Sequence, residues 1–230
     1  MDKTRTLALG DIHGCCTALD TLAGWVGFNE ADTIVGLGDF VDRGPDTRDV
    51  IELLLKWEAV GCLVALRGNH EIMMMDSRDD VSMRTAWLSY GGAAVLESYG
   101  TRLMGAIPQD HWDFIERTRR YYETDTHIFA HATLDPELLL ADQTDVSLFW
   151  DRFEDPQPHV SGKTWICGHT SQKSGLPLNY GHAICIDTWV YGEGWLTCLD
   201  VDSGTFWQAN EKGEKRIDHI SNHLCDPEEG

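Results

Sequence analysis

Positive charge is scarce in this chain: 18 Lys and Arg stand against 38 Asp and Glu, a formal net charge of −20 over 230 residues. A field of that sign repels nucleic acid and anionic bilayers, so no nucleic-acid and no membrane partner is expected. Long apolar runs are also missing. No stretch approaches the roughly 18 apolar residues that a membrane span requires. The opening Met1–Thr6 leads straight into a short apolar strand, without the longer apolar region of a cleaved leader, and this predicts a cytoplasmic protein. Cysteine is present but unpatterned: Cys15, Cys16, Cys62, Cys167, Cys185, Cys198 and Cys225 contain no Cys-x-x-Cys pair. That spacing argues against a disulfide framework or a zinc knuckle, and for small buried thiols in a reducing compartment. No internal repeat or low-complexity linker interrupts the sequence, so one domain over 1–230 is expected.

The first seventy residues alternate between strand-like runs and helical spacing. Thr6–Leu9 ends in Gly10-Asp11-Ile12-His13-Gly14, and Thr33–Leu37 ends in Gly38-Asp39-Phe40-Val41-Asp42-Arg43-Gly44. Leu63–Leu66 ends in Arg67-Gly68-Asn69-His70-Glu71. Between these runs, Leu19, Leu22, Ala23 and Val26, then Val50, Leu53, Leu54 and Trp57, recur at helical spacing. Thr17 followed by Asp20 predicts a capping box at the first helix. Asp11, Asp39 and Asn69 follow one another at intervals of 28 and 30 residues, about one strand–helix–strand unit each. Polar residues therefore recur at the carboxyl ends of successive parallel strands, the edge of an α/β sheet where ligands sit.

The stretch of about 72–123 reads as a helical insertion or cap, with Met73–Met75 as packing and with Trp112, Ile115 and Arg119 on one helical side. Strand-like runs return at His127–His131, Thr164–His169 and Ala183–Asp187, each ending in a polar residue. Trp195–Val201 and Thr205–Gln208 read as a hairpin around Asp202-Ser203-Gly204. The polar residues of about 218–230 are expected to be a loosely ordered tail.

At the sheet edge, Asp11 and His13 in Asp-x-His spacing, the carboxylate of Asp39, the amide oxygen of Asn69 and the imidazoles of His131 and His169 make a mixed nitrogen and oxygen set. Each histidine alone reads as a hydrogen-bonded core or surface residue; together, at successive strand ends, they point to two divalent cations. Such a set without thiolate suits Mn, Fe or Zn better than Ca. A metal pair would acidify a bridging water and clamp the oxygens of an in-line phosphoryl displacement. His70 could protonate the leaving oxygen, Asp42 could orient its imidazole, and Arg43 could grip phosphate oxygens. Arg152 is the one base in the acid-rich stretch of 123–155; a phosphate contact and an ordinary salt bridge are both open to it.

The blocks around Asp11, Asp39, Asn69, His131 and His169 stand in the order of the metallophosphoesterase signature. With Asp42-Arg43-Gly44 and Gly68-Asn69-His70-Glu71, the chain resembles the PPP-type serine/threonine protein phosphatases, especially the compact bacterial and phage lambda-type enzymes, from Gly10 to Asp187. The resemblance implies an α/β class fold, a calcineurin-like α/β/β/α sandwich of mixed sheets, with a dinuclear site usually active with manganese. By position, Asp11, His13 and Asp39 would hold one metal, and Asp39, Asn69, His131 and His169 the other. His70 with Asp42 would donate the proton. Arg43 and Arg152 would clamp the phosphate, Arg152 matching the Trp-[Asn/Asp]-Arg context of the phage-type enzymes. Glu71 would have a supporting role, and His182 is expected outside the ligand set. Two departures stand out: Ala132-Thr133 replace the Gly-Gly after the strand-end histidine, and Trp189 follows Asp187-Thr188 where glycine is common. The implied substrates are phosphoserine, phosphothreonine and small aryl phosphates. The alternatives are a symmetrical dinucleoside tetraphosphate hydrolase and, in a different class, a weakly catalytic binding scaffold.

Overall fold

The computed structural model describes residues 4–225. Among these described residues eleven strands form two sheets. β1 (Thr6–Leu9), β2 (Thr33–Gly36) and β3 (Leu63–Ala65) run parallel, and β9 (Leu196–Asp200), β10 (Thr205–Ala209) and β11 (Lys215–His219) extend that sheet as an antiparallel meander beside β1. The second sheet has β5 (His127–Ala130), β6 (Thr164–Cys167) and β8 (Ala183–Cys185) parallel, flanked by antiparallel edge strands β4 (Tyr121–Glu123) and β7 (Leu178–Asn179).

The period-two alternation of each strand explains the layering. Ala8, Val35, Phe129, Ile166, Ile184 and Leu199 project between the sheets into one shared cluster. Their neighbours point outward. Leu7, Leu9 and Ile34 pack under α1 (Cys16–Val26) and α2 (Thr47–Ala59), while Ile128, Ala130, Trp165 and Cys167 pack with Leu148 and Phe149 of α7 (Asp145–Phe149). The result is the expected α/β/β/α sandwich. Burial on both faces is why these parallel strands read as short continuous apolar runs.

Between β3 and β4 the chain forms α3 (Asn69–Asp76), α4 (Val81–Trp87), a π-type turn at Leu88–Gly92, α5 (Ala93–Ser98) and α6 (Gln109–Glu116). This helical segment starts three residues before the expected position and ends before Arg119. Arg119 is extended instead: its N–H donates to the Ala65 carbonyl at 2.9 Å, and its own carbonyl accepts from Arg67 N–H at 2.7 Å. The otherwise open edge of β3 takes those backbone groups, and the chain passes directly into β4. The expected capping box is absent as well. α1 begins at Cys16, so Thr17 lies inside the helix, and the carboxylate of Glu211 accepts the Ala18 N–H at 2.8 Å. A residue far along the chain thus satisfies a helix terminus that local sequence assigned to Thr17.

The polar tail is ordered further than expected. β11 pairs with β10 through His219, a 3₁₀ turn covers Ile220–His223, and Cys225 N–H donates to the Asn179 carbonyl at 2.7 Å. Backbone pairing with β10 and β7, with Ile220 packed against the inter-sheet cluster, holds this stretch; residues 226–230 lie outside the described ones. All seven cysteines are free, five of them buried.

Candidate metal centre and proton-donor pair

The carboxyl ends of β1, β2, β3, β5, β6 and β8 open onto one edge of the sandwich, and each carries a polar side chain there. Asp11 and His13 follow β1, Asp39 and Asp42 follow β2, and Asn69 opens α3 after β3. His131 directly follows β5, His169 lies two residues past β6, and Asp187 two residues past β8. The turns that aim these groups are strained. Seven non-glycine residues have positive φ among the described ones, and His13, Asp39, Asp42, Arg43 and His169 account for five of them. Each such conformation costs on the order of 1–3 kcal/mol and persists only where the surroundings enforce it. Two glycines allow the close approach. A Cβ at Gly168 would overlap Asp11 Oδ1, and a Cβ at Gly68 would overlap Asp39 Oδ1.

Backbone carbonyls set the histidine tautomers. His13 Nδ1 donates to the Val41 carbonyl and His131 Nδ1 to the Leu37 carbonyl, both at 2.9 Å. Because a carbonyl only accepts, Nδ1 carries the proton and the Nε2 lone pair faces inward. Both Nε2 atoms lie 3.4 Å from opposite oxygens of Asp39. His169 is turned the other way: its Nε2 donates to the Trp150 carbonyl at 3.2 Å, so its Nδ1 lone pair faces Asn69 Oδ1 at 3.0 Å. His131 Nε2 lies 3.0 Å from that same oxygen. Lone pairs facing one another across about 3 Å have no proton to share, and a cation among them satisfies them all. His13, Asp39 and His70, and separately Asp39, His131 and His169, each bring ligand atoms within 4.8 Å of one another, with Asp39 common to both groups. The donor set therefore fits two divalent ions, one at each group, with the Asp39 carboxylate available to both. Asp11 belongs to neither group; its oxygens accept the backbone N–H of His169 at 3.0 and 3.2 Å, and it is close enough to Asp39 for the two charges to interact.

The electrostatics agree with this reading. Burial pushes the Asp11 carboxyl well above the usual carboxylate range, and the neighbouring Asp187 and Asp39 push it further. Burial also drives His13 well below its ordinary value and lowers His131. Burial brings His169 down to about 4, with His131 adding to the effect. Asp39 goes the other way: burial raises it, yet the surrounding His131, His70, His13 and His169 hold it below the ordinary carboxylate value. Deprotonated His13, His131 and His169 are in the state that cation binding requires, and Asp11 has a proton to lose as a cation enters.

Beside this cluster, His70 Nδ1 lies 2.6 Å from Asp42 Oδ2, and the Trp87 indole Nε1 donates to both Asp42 oxygens at 2.9 and 3.1 Å. Burial lowers His70, but Asp39 and Asp42 more than offset it and raise its pKa. Burial lifts Asp42 to about 6 despite its bonds to His70 and Trp87. Arg43 spans the site: one terminal nitrogen lies 3.1 Å from His13 Nε2, the other 2.9 Å from His70 Nε2, and its guanidinium sits 4.3 Å from the Tyr191 ring centroid. Glu71 supports the β2 loop, accepting the backbone N–H groups of Asp39, Phe40, Val41 and Gly68 at 2.8 to 3.3 Å.

Of the two arginines expected to clamp the phosphate, Arg152 is outside the cavity that Arg43 and His70 line. Its side chain is exposed and lines a separate cavity with Thr133, Leu134 and Phe153, while Arg43, Asn69 and His70 line a different one; Trp150 borders both. The short loop after α7 is held at Phe153, whose N–H donates to Thr170 Oγ1 at 2.8 Å. His182 lies outside the cluster as expected, with Nε2 donating to the Pro156 carbonyl at 2.8 Å. Trp87 and Tyr191 escaped the sequence reading because neither belongs to a strand-end block; contact across the fold brings them in.

The family model for calcineurin-like phosphoesterases matches residues 4–173. The serine/threonine-protein phosphatase 1 of Salmonella typhimurium is 41% identical over 86 residues, which are 36% of this chain and 37% of that protein. The symmetrical bis(5'-nucleosyl)-tetraphosphatase of Nitrosomonas europaea is 23% identical over 160 residues, 65% of this chain and 54% of that protein. The chain thus spans little more than half, or less, of the length of these curated relatives. Among solved structures, a putative diadenosine tetraphosphatase superposes with a TM-score of 0.67 at 21% identity, covering 95% of this chain and 94% of that one. A cold-active protein-tyrosine phosphatase from a Shewanella species superposes with a TM-score of 0.65 at 17% identity, covering 94% and 80%. Strand-end ligand blocks, a two-sheet sandwich and a family match over most of the sequence agree, and the chain belongs to the calcineurin-like phosphoesterase family, which uses a dinuclear metal centre.

Proposed function

We propose that this protein is a metal-dependent phosphomonoesterase acting on phosphoserine, phosphothreonine and small aryl phosphates. The observation that carries the reading is the His70–Asp42 pair, 2.6 Å apart, with Arg43 against His70 at the border of the convergent donor set. Asp11, His13, Asp39, Asn69, His131 and His169 would hold two divalent ions, with manganese, iron or zinc suited to the mixed donors. Such ions, when bound, supply positive charge to phosphoryl oxygens and make water more acidic. With the Arg43 guanidinium turned from His70 Nε2 onto the non-bridging oxygens, His70 Nε2 carries the proton to the leaving oxygen while Asp42 keeps the imidazole oriented. Two divalent charges and Arg43 make a positive pocket for a phosphate inside an acidic protein.

A symmetrical dinucleoside tetraphosphate hydrolase is the second reading, favoured by the longer match to the Nitrosomonas relative. The protein phosphatase is preferred because the site offers Arg43 but no further cation beside His70 for the remaining phosphates of a tetraphosphate chain. Phosphate release from phosphopeptides, compared with ADP formation from diadenosine tetraphosphate, both with added manganese, tests this. Faster phosphopeptide turnover that is lost in His70→Asn and Asp11→Asn supports the proposal. Faster cleavage of the dinucleotide reverses the order, and no turnover with any substrate or metal leaves the binding scaffold.

A further inference from the structure

A cavity of about 400 Å³ opens directly beside the proposed proton donor, with Arg43, Asn69 and His70 at one end. The rest of its wall is apolar: Met73 of α3, Met83 and Trp87 of α4, Tyr90 of the π-type turn, and Trp150 after α7. No carboxylate or lysine lines it. Tyr90, Trp150 and Met83 stay largely exposed, at 60%, 44% and 42% of their surface, whereas Trp87 is buried and anchored on Asp42. Large apolar side chains left uncovered around a cleft mark a binding surface rather than a core.

We infer that this cavity is a leaving-group subsite that selects aryl phosphoesters, a phosphotyrosyl side chain among proteins, over alkyl ones. The inference rests on the phosphomonoesterase reading and ranks, among the esters proposed there, the aryl ones above phosphoserine and phosphothreonine. Its basis is position. A leaving oxygen within reach of His70 puts whatever is bonded to that oxygen into the cavity. A phosphoseryl group places one methylene there and then peptide backbone, whose N–H and C=O would find few partners on this wall. A nucleotide leaving group places another anionic phosphate there, and Arg43, already against His13 and His70, is the only cation in the lining. An aromatic ring bonded directly to the ester oxygen meets methionine sulfur and aromatic faces, which favour it beyond simple area burial.

In the step itself the P–O bond to the aryl oxygen breaks and a P–O bond to a water oxygen forms. The electron pair leaves on the aryl oxygen, which takes the His70 proton, and the water yields a proton in return. Products are a phenol and inorganic phosphate.

The test compares phosphotyrosyl and phosphoseryl peptides of one sequence, with manganese, on the parent protein and on Tyr90→Ala and Trp150→Ala. The expected parent prefers the phosphotyrosyl peptide in kcat/KM, and each variant lowers that ratio by about fivefold to tenfold, as loss of one aromatic contact implies. A parent ratio at or below one, or a ratio that neither variant lowers, overturns the inference. Binding of phenylphosphonate against methylphosphonate, read by calorimetry on the manganese-loaded protein, separates the two readings. If no peptide is turned over, the phosphomonoesterase reading fails. Tighter phenylphosphonate binding that weakens in both variants still supports the subsite, and equal binding of the two phosphonates overturns it.

Discussion

The indole Nε1 of Trp87 donates to both carboxylate oxygens of Asp42, at 2.9 and 3.1 Å, and Asp42 in turn holds His70 Nδ1 at 2.6 Å. Trp87 closes α4, in a segment that carries no motif, so the proposed acid is oriented from outside the strand-end blocks. The three side chains are buried together. A buried carboxylate whose partners fix both oxygens cannot rotate away from the imidazole it orients.

Trp87→Phe keeps an aromatic ring in place and removes only the N–H. Loss of a hydrogen bond to a buried carboxylate is expected to cost about 1–3 kcal/mol of stability. The kinetic signature is more selective. Turnover of esters with poor leaving groups, which need His70 most, should fall by about tenfold or more, and turnover of activated aryl esters by much less. A series of phosphoesters graded by leaving-group pKa, alongside thermal unfolding, reads both effects. An equal loss across the series would mean that Trp87 acts on stability alone.

Divalent ions should stabilise the folded chain as well as activate it. Asp11, Asp39 and Asp187 are buried near one another, and burial together with Asp187 and Asp39 raises the Asp11 carboxyl. Manganese at 100 times its dissociation constant should add about 2.7 kcal/mol, visible as a higher melting temperature. A chelator should reverse the shift and abolish turnover. Asp39→Asn, which alters the carboxylate common to both ligand groups, should remove most of the shift.

Gly168→Ala tests the close packing of β6 against the β1 loop. The added Cβ would overlap Asp11 Oδ1, so either the carboxylate moves or the loop does. Overpacking of this kind costs typically about 1–3 kcal/mol. Metal content measured by elemental analysis should fall with activity. A variant that binds a full complement of manganese and keeps parental turnover would show that the loop relaxes freely.

A pH dependence is expected well away from the site. Burial pushes the Asp32 carboxyl up, but Arg5 and the Asn29 backbone N–H overcome it and hold it below the ordinary carboxylate value. With a depressed folded-state pKa, the pair contributes stability above the unfolded carboxylate value and loses it as pH falls through the folded one. Asp32→Asn should therefore cost about 1–3 kcal/mol near neutral pH. The gap between variant and parent should narrow below about pH 4, the unfolded carboxylate value. Urea unfolding at several pH values measures it, and a gap that widens in acid would contradict the assignment.

Local chemistry made much of the molecule legible in advance. Glycine-flanked Asp, His and Asn after short apolar runs can hardly be placed except at the carboxyl ends of parallel strands, because only there do turns aim several side chains at one point. Alternation along Leu7-Ala8-Leu9 and Trp165-Ile166-Cys167 carried the two-faced burial of each sheet. Such signals survive because they depend on backbone periodicity and on residues close in sequence.

What tertiary structure alone decided involves groups that meet across long chain separations. Glu211 caps α1 in place of Thr17 because β10 delivers it there, and Arg119 leaves the helix because the edge of β3 had hydrogen bonds to complete. Trp87 reaches Asp42, and Tyr191 lies against Arg43, through packing of the helical segment and the β8–β9 loop. The loop that carries Arg152 is tied by Phe153 N–H to Thr170, a residue 17 positions on. The donors at the strand ends followed from sequence; the orientation of the acid, the setting of Arg43 and the apolar wall beside His70 came from how distant elements pack.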